Sequence, residues 1–208
     1  MKVILEKRVV PVLTLESVPE ALAVAEALVA GGLPVMEVTF RTKAAPDCIR
    51  AIRQSFPAVT VGAGTLLTGE QVRQAQQAGA QFGVAPGVNA TVVRAAIEAG
   101  LPFYPGVMTP SDVELGLSLG CMLQKFFPAD VAGGVKMLKA LAGPYGHTGV
   151  KFIPLGGINA GNAAEFLALP NVAAIGGSWI AEKKLVAGKD WKAITENARA
   201  AVALAGAK

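Results

Sequence analysis

The sequence predicts an α/β protein, a single (β/α)8 (TIM) barrel over residues 1–208, from three observations. Short apolar runs recur along the chain, small or turn-forming residues follow them, and Ala-rich amphipathic stretches lie between them. Apolar strands that alternate with helices are typical of a parallel sheet covered by helices. Because eight such units follow in order, we expect a closed barrel. An open doubly wound sheet is the competing fold, since counting units does not establish closure.

The individual elements follow from this pattern in chain order. The predicted strands cover residues 9–13, 34–40, 59–63, 82–85, 102–105, 121–127, 150–154 and 172–175. The predicted helices cover residues 18–30, 44–55, 69–78, 90–99, 110–119, 134–141, 161–169 and 190–204. Proline and glycine recur at the ends of the strands, where they indicate turns rather than a linker between domains.

Composition and charge exclude several classes of protein. A hydrophobic content of 52% with 16% charged residues favours a folded α/β protein over a disordered one. Cys48 and Cys121 lack metal-site or redox spacing and are typical of a reducing compartment. A net charge of +4 without a basic, aromatic stripe argues against nucleic-acid binding. With no secretory signal or membrane-spanning run, we expect a cytoplasmic protein that binds no membrane.

A carboxylate interrupts the second predicted strand. Alternation places Glu37, Thr39 and Arg41 on one face, which would point into the barrel, while the opposite face is wholly apolar. Four extended residues separate Glu37 from Arg41 by about 13 Å, so a direct ion pair between them is not expected. A buried charge without a partner is costly, and we therefore interpret Glu37 as functional. Arg41 alone also fits a solvated residue at the barrel rim.

A lysine lies at the carboxyl end of the sixth predicted strand. Burial lowers the pKa of a lysine, and the free amine that results is the nucleophile of Schiff-base chemistry. The alternative is an ammonium that reaches solvent, which Phe126, Phe127 and the following proline make less natural at Lys125. Lys151 is the rival nucleophile, but it opens its strand and would lie at the opposite end of the barrel.

Glycine doublets follow the last two predicted strands, as Gly156-Gly157 and as Gly176-Gly177-Ser178. Loops after the seventh and eighth strands form the recurrent phosphate site of this fold, and glycine lets backbone N–H groups approach the anion. Thr65 and Pro86 complete the rim after the third and fourth strands, where turn formation is the competing explanation.

A metal site or a histidine-based triad is not expected. His147 is the single histidine of the chain, and no carboxylate cluster accompanies it in the sequence.

These residues together resemble the 2-keto-3-deoxy-6-phosphogluconate (KDPG) and 4-hydroxy-2-oxoglutarate aldolases, which are class I lyases, along nearly the whole chain. The similarity is carried by Glu37-Val38-Thr39-Phe40-Arg41-Thr42, Gly62-Ala63-Gly64-Thr65, Pro86-Gly87, Lys125-Phe126-Phe127-Pro128, Gly133-Gly134, Gly156-Gly157-Ile158 and Gly176-Gly177-Ser178-Trp179.

The resemblance implies cleavage of KDPG to pyruvate and glyceraldehyde 3-phosphate in the Entner–Doudoroff pathway, without a cofactor or metal. It implies that Lys125 forms the imine and that Glu37 moves protons through a bound water. The remaining substrate-binding residues that it implies are Arg41 and Thr65 for the carboxylate, Gly157, Gly177 and Ser178 for the phosphate, and Pro86, Phe127 and Gly156 beside them. It also implies a homotrimer.

Three positions depart from the family pattern: Ala85 in place of Ser, Asp130 in place of Glu, and Leu155 in place of Thr. The last bears on selectivity at C4 of the substrate, and 6-phosphogalactonate aldolases carry an apolar residue there. The alternatives are therefore a broader 4-hydroxy-2-oxoglutarate or 6-phosphogalactonate aldolase, or a non-catalytic barrel that binds a phosphoanion. Glu37 and Lys125 argue against the last, since a binding protein needs neither buried charge.

Overall fold

The structure, a computed structural model, describes residues 2–206 and has parallel strands that alternate with helices. The strands are β1 (Val9–Leu13), β2 (Val35–Thr39), β3 (Thr60–Gly64), β4 (Gly83–Val84), β5 (Phe103–Tyr104), β6 (Gly106–Val107), β7 (Leu123–Phe126), β8 (Lys151–Pro154) and β9 (Ile175–Gly177). The α-helices are α1 (Lys2–Lys7), α2 (Val18–Ala30), α3 (Ala45–Ser55), α4 (Gly69–Gln77), α5 (Ala90–Glu98), α6 (Pro110–Ser118), α7 (Gly134–Tyr145), α8 (Ala163–Leu167), α9 (Lys183–Ala187) and α10 (Trp191–Gly206). The predicted α/β class is confirmed.

The strands form two parallel sheets. One has the strand order β5-β4-β3-β2-β1-β9 and forms a half-barrel, and the other has the order β6-β7-β8. Parallel bridges also join Phe152 to Val172 and Leu155 to Gly176, so the strands of both sheets run in the same direction. The carboxyl ends of the strands therefore lie at a common end of the fold, where the candidate site residues are found.

Several helices begin at a polar cap just after a strand. The side-chain oxygens of Ser17, Thr68, Asn89 and Thr109 each accept a hydrogen bond from a backbone N–H in the first turn of α2, α4, α5 and α6. Each such cap stabilises its helix by about 1 kcal/mol. At α6, Asp112 also accepts from the Thr109 backbone N–H, which completes a capping box.

Alternation along β7 separates two buried polar side chains. Gln124 faces outward and donates to the carbonyls of Val113 at 3.2 Å and Cys121 at 2.9 Å. Gly116 on α6 leaves room for this amide, because a Cβ there would collide with it. Lys125 consequently lies on the opposite face of β7, the inner face that is turned away from α6.

Two predicted strands differ from the observed ones by more than a shift of their end residues. The strand predicted over residues 172–175 is wrong in position, because β9 covers Ile175–Gly177. Gly176 and Gly177 pair with β1, and an apolar pattern does not register glycines that contribute only backbone. The strand predicted over residues 102–105 is two short strands on either side of Pro105, which has no N–H to continue a ladder.

The helix predictions missed two elements and shortened a third. The α1 and α9 helices were not predicted, because each is short and buries few side chains, Ile4 in α1 and Val186 in α9. Helix α7 was predicted to end at residue 141, but it continues through Pro144 to Tyr145. The Tyr145 hydroxyl lies 2.9 Å from a Glu114 carboxylate oxygen, so a tertiary contact holds the last turn despite the proline.

Candidate active site

Lys125 lies on the inner face of β7 near the carboxyl end of the strand, and it is only 3% exposed. Its Nζ is 4.0 Å from Glu37 Oε1 and 4.8 Å from the centroid of the Phe127 ring. The alternative of an ammonium that reaches solvent is inconsistent with this burial. Lys151, in contrast, is exposed at the start of β8, and its Nζ donates to the Pro170 carbonyl at 2.8 Å.

The surroundings of Lys125 favour its neutral amine. Burial is the largest cause and lowers the pKa of Lys125, the Glu37 carboxylate raises it, and the Arg41 guanidinium lowers it. The net direction is downward. A larger fraction of the side chain is therefore the free amine at neutral pH, which is the form that attacks a carbonyl carbon.

Glu37 lies behind Lys125 on β2 and is 2% exposed. Its Oε1 atom is buried and has no hydrogen-bond partner among the described residues. The 4.0 Å separation from Lys125 Nζ is longer than a hydrogen bond. The carboxylate is thus close enough to interact electrostatically with the amine, yet it remains free to exchange a proton.

Arg41 and Thr65 meet at the rim beside this pair. The Arg41 Nε atom donates to Thr65 Oγ1 at 3.2 Å. Thr65 has a positive φ of 58°, which is uncommon for a β-branched residue and is found where the surrounding structure imposes it. As expected from the length of the strand, the described ion pairs join Glu37 to Lys125 and none joins it to Arg41.

A cavity of about 190 Å³ opens above Lys125 at the carboxyl ends of the strands. It brings together seven of the predicted site residues, which are Arg41, Lys125, Phe127, Gly156, Gly157, Gly177 and Ser178. The predicted residues Glu37, Thr65 and Pro86 do not line it. Glu37 lies behind Lys125, and Thr65 contacts the cavity-lining Arg41 through a hydrogen bond. Pro86 is half-buried just after β4. We call this space the outer cavity.

Three glycines of the two doublets, Gly156, Gly157 and Gly177, line one wall of the outer cavity. Gly156 and Gly157 both have positive φ, of 92° and 79°, a conformation that other residues rarely adopt. Asn162 Nδ2 donates to the Gly157 carbonyl at 2.9 Å and so fixes this loop. The wall therefore presents backbone rather than side chains to whatever fills the cavity.

Sequence reasoning missed some residues that shape the site. Thr14, which lines the outer cavity, follows β1 directly, and its Oγ1 lies 3.0 Å from Thr39 Oγ1. A hydroxyl just beyond the carboxyl end of a strand was the available signal. Asn162 is read from sequence as part of a helix start, and only the folded loop brings its amide to Gly157.

The three departures from the family pattern take different positions. Leu155 is buried, lines the outer cavity and packs over Gly176, where a Cβ would lie 2.9 Å from Leu155 Cγ. Asp130 is exposed, and its Cβ occupies the space in front of Gly157. Ala85 is buried and does not line the outer cavity. Leu155 is thus the departure that contacts the cavity itself.

Two further findings concern residues 2–206 only. No cluster of three or more His, Cys, Asp or Glu side chains in this range is arranged to hold a metal ion. Among the helices of the same range, none combines the length and the apolar character that crossing a membrane requires.

The parallel α/β fold, with a buried amine and carboxylate at the carboxyl ends of its strands, has the construction of an enzyme active site. The family model described as KDPG and KHG aldolase matches residues 1–197. The 2-dehydro-3-deoxy-phosphogluconate aldolase of Treponema pallidum (strain Nichols) is 48% identical over 188 residues, which are 90% of this chain and 89% of that protein. The KHG/KDPG aldolase of Escherichia coli (strain K12) is 45% identical over 194 residues, covering 93% and 90% of the two chains.

Among solved structures, the KDPG aldolase from Legionella pneumophila is similar with a TM-score of 0.91 at 41% identity, covering 95% of each chain. That crystal structure contains pyruvate captured at low pH as a covalent carbinolamine intermediate. The present chain belongs to the KDPG and KHG aldolase family, and it is a lyase.

Proposed function

We propose that this protein cleaves 2-dehydro-3-deoxy-6-phosphogluconate to pyruvate and glyceraldehyde 3-phosphate in the Entner–Doudoroff pathway, through a Schiff base on Lys125. The observation that carries the proposal is the buried Lys125 amine, 4.0 Å from the Glu37 carboxylate, below a cavity at the strand ends. The names of the relatives and the pyruvate carbinolamine of the Legionella pneumophila enzyme support the same chemistry.

Lys125 acts first. Its free amine adds to the C2 keto carbon of the substrate to give a carbinolamine, which loses water to form a protonated imine. When the C3–C4 bond breaks, the bonding electrons move into this iminium group and give an enamine. Protonation of the enamine at C3 and hydrolysis of the imine then release pyruvate and the free lysine. The lowered pKa of Lys125 favours the first step.

Glu37 moves the protons. In the cleavage step the carboxylate accepts the proton of the C4 hydroxyl, which leaves as the aldehyde oxygen, and it later returns a proton to C3 of the enamine. Because Glu37 lies behind Lys125 and does not line the outer cavity, the transfer passes through a bound water that enters from the substrate side.

The other site residues orient the substrate. Arg41 and Thr65, joined by their 3.2 Å hydrogen bond, hold the carboxylate next to the keto group. Gly157, Gly177 and Ser178 bind the distal phosphate. Pro86, Phe127 and Gly156 shape the surroundings of the reacting carbons.

A closed eight-stranded barrel over residues 1–208, as one catalytic domain, is the architecture that we infer for this site. Its support is that Pro105 alone separates β5 from β6, which pair with β4 and β7 respectively. The Leu155–Gly176 bridge supports closure on the other side, between β8 and β9. In this arrangement β5 and β6 are the two halves of the fifth barrel strand.

We further propose that the protein is a cytoplasmic homotrimer that needs no cofactor, contacts no nucleic acid or membrane, and takes the phosphorylated 2-keto acid as its partner. Light scattering checks the oligomer, and a monomeric mass at micromolar concentration contradicts it.

An assay with the phosphorylated substrate tests the proposed reaction. Pyruvate release is measured for the native protein, for Lys125→Ala and for Lys151→Ala, which removes a lysine outside the site. We expect turnover in the native protein and in Lys151→Ala, and its loss in Lys125→Ala. The proposal is wrong if the native protein releases no pyruvate or if Lys125→Ala remains active.

Leu155 favours a second candidate function, an aldolase of broader range that also cleaves 4-hydroxy-2-oxoglutarate or the C4 epimer of the phosphorylated substrate. An apolar side chain in the outer cavity cannot hydrogen-bond the C4 hydroxyl, so it discriminates weakly between epimers. Measuring kcat/KM for the three substrates with the native protein distinguishes the two candidates. The non-catalytic phosphoanion-binding alternative is disfavoured, because it leaves the buried charges of Glu37 and Lys125 unexplained.

A further inference from the structure

A second cavity lies beside Lys125 among buried side chains, and we call it the inner cavity. Its volume is about 10 Å³. Three polar residues line it, Glu37, Tyr104 and Lys125. The remaining lining residues are apolar: Ile4, Val10, Phe82, Val84, Ile153 and Leu155. Lys125 and Leu155 line both cavities, which therefore adjoin each other at these two side chains.

Two polar atoms at the inner cavity have no protein partner. The Tyr104 hydroxyl and Glu37 Oε1 are both fully buried, and no described residue forms a hydrogen bond with either. Tyr104 is 3% exposed, and its ring packs near that of Phe82, with centroids 5.9 Å apart. A buried polar group without a hydrogen-bond partner is costly, and such groups are bonded to protein or to ordered water in nearly all folded proteins.

The inner cavity has the size and chemistry of a site for one water molecule. A cavity of roughly 10–15 Å³ holds one water if two to four polar groups surround it. The phenol, the carboxylate and the lysine amine supply three such groups here. No other charged or titratable side chain lines the inner cavity, and Arg41 lies on the outer side of Lys125.

Each group has a defined role toward such a water. Burial raises the pKa of Tyr104 to about 12, so the phenol keeps its proton and donates. A carboxylate oxygen only accepts. The water therefore accepts from Tyr104 and donates to Glu37 Oε1, and its remaining hydrogen and lone pair face Lys125.

We propose that Tyr104 and Glu37 hold a single internal water behind Lys125, and that Tyr104 is thereby a positioning residue for the Glu37 carboxylate. This water lies in the inner cavity, whereas the water that meets the substrate enters from the outer cavity. The inner water anchors Glu37 Oε1. The carboxylate is thereby held in place for proton transfer toward the outer cavity. The kinetic part of this inference depends on the proposed aldolase function, whereas the water site itself does not.

High-resolution crystal structures of the native protein and of Tyr104→Phe test the water site. We expect electron density for a water within hydrogen-bond distance of both Tyr104 Oη and Glu37 Oε1 in the native protein. In Tyr104→Phe, which keeps the ring packed against Phe82, this density should be lost or displaced. Native density without a water between the two atoms overturns the inference, whether or not the protein is an aldolase.

Kinetics test the positioning role, with Tyr145→Phe as the matched control. Tyr145 is the other tyrosine of the chain; its hydroxyl donates to Glu114, and neither residue lines the inner or the outer cavity. Tyr104→Phe should lower kcat about tenfold, because the water that bonds the charged Glu37 carboxylate loses its anchor, and leave KM nearly unchanged. It should also slow exchange of pyruvate methyl protons with solvent while trapping of the imine by borohydride continues.

Tyr145→Phe should leave all of these readouts at native values. Equal kcat in Tyr104→Phe and the native protein overturns the positioning role. If borohydride traps no adduct in the native protein, the proposed function fails instead, and the crystallographic result still decides the water site.

Discussion

Gly64 on β3 is the register partner of Thr39 but packs against the Glu37 carboxylate of β2, and a Cβ at position 64 would collide with Glu37 Oε1. The absence of a side chain at position 64 thus leaves the space that the Glu37 carboxylate occupies. Gly62 does the same for the Phe82 ring. The glycines of Gly62-Ala63-Gly64 are therefore explained by the space that other side chains occupy, since neither has a positive φ.

Gly64→Ala should displace the Glu37 carboxylate and lower kcat by about 10²-fold or more, the scale of general acid–base catalysis. Overpacking should also lower the free energy of unfolding by about 1–3 kcal/mol. The control is Gly143→Ala on α7, where a Cβ meets nothing within 4 Å and helix propensity improves. Chemical denaturation and kcat measured on both variants check this, and native turnover in Gly64→Ala contradicts it.

Borohydride with pyruvate should trap a covalent adduct on Lys125, because that amine is buried and adjacent to the outer cavity. Peptide mass spectrometry locates the adduct. Lys125→Ala should abolish labelling, and Lys151→Ala should retain it, because Lys151 is exposed and bonded to Pro170 at the opposite strand end. An adduct that maps to Lys151 assigns the nucleophile elsewhere.

Glu37→Gln should keep the fold and much of the imine formation but slow cleavage by ~10²–10⁴-fold, since an amide cannot accept the proton. Glutamine has nearly the shape of glutamate, so the packing against Gly64 is retained. Pyruvate release compared with borohydride trapping separates cleavage from imine formation. Turnover near the native rate removes Glu37 from the mechanism.

Imine formation should follow the titration of Lys125. Burial and Arg41 lower the pKa of Lys125 and Glu37 raises it, so the free amine appears as pH rises through a value below the ~10.4 of an ordinary lysine. The rate of trapping by cyanoborohydride should therefore increase with pH to a plateau. Glu37→Gln removes the raising contribution and should move the midpoint to lower pH. A midpoint that moves upward in this variant shows that the coupling has the opposite sign.

Leu155→Thr should raise the preference for the gluconate-derived substrate over its C4 epimer. A hydroxyl in the outer cavity restores one hydrogen bond to the C4 hydroxyl, worth about 1 kcal/mol, or roughly fivefold in the ratio of kcat/KM. Leu155→Val is the control, because valine has the shape of threonine without the hydroxyl. If both variants change the ratio equally, the volume of residue 155 decides selectivity rather than hydrogen bonding.

The sequence by itself determined the repeat of strands and helices and the two charges that matter most. Strand β1 and helix α2 have the predicted bounds, because each is a continuous apolar or amphipathic run bounded by turn and cap residues such as Ser17. Glu37 and Lys125 were identifiable because a charge inside an apolar strand is costly to bury without a function. Period-two alternation also indicated that Glu37 points inward.

Only the tertiary structure decided which residues meet. Alternation reports the direction of a side chain relative to its own strand, whereas distances between strands depend on register and on the volumes of neighbours. The 4.0 Å separation of Lys125 and Glu37, the exclusion of Pro86 from the outer cavity and the burial of the Tyr104 hydroxyl all depend on that register. From the sequence alone, Tyr104 is an ordinary aromatic residue of a strand. Only the packing of the fold buries its hydroxyl at the same cavity as the Glu37 carboxylate, and neither Tyr104 Oη nor Glu37 Oε1 has a partner among the described residues.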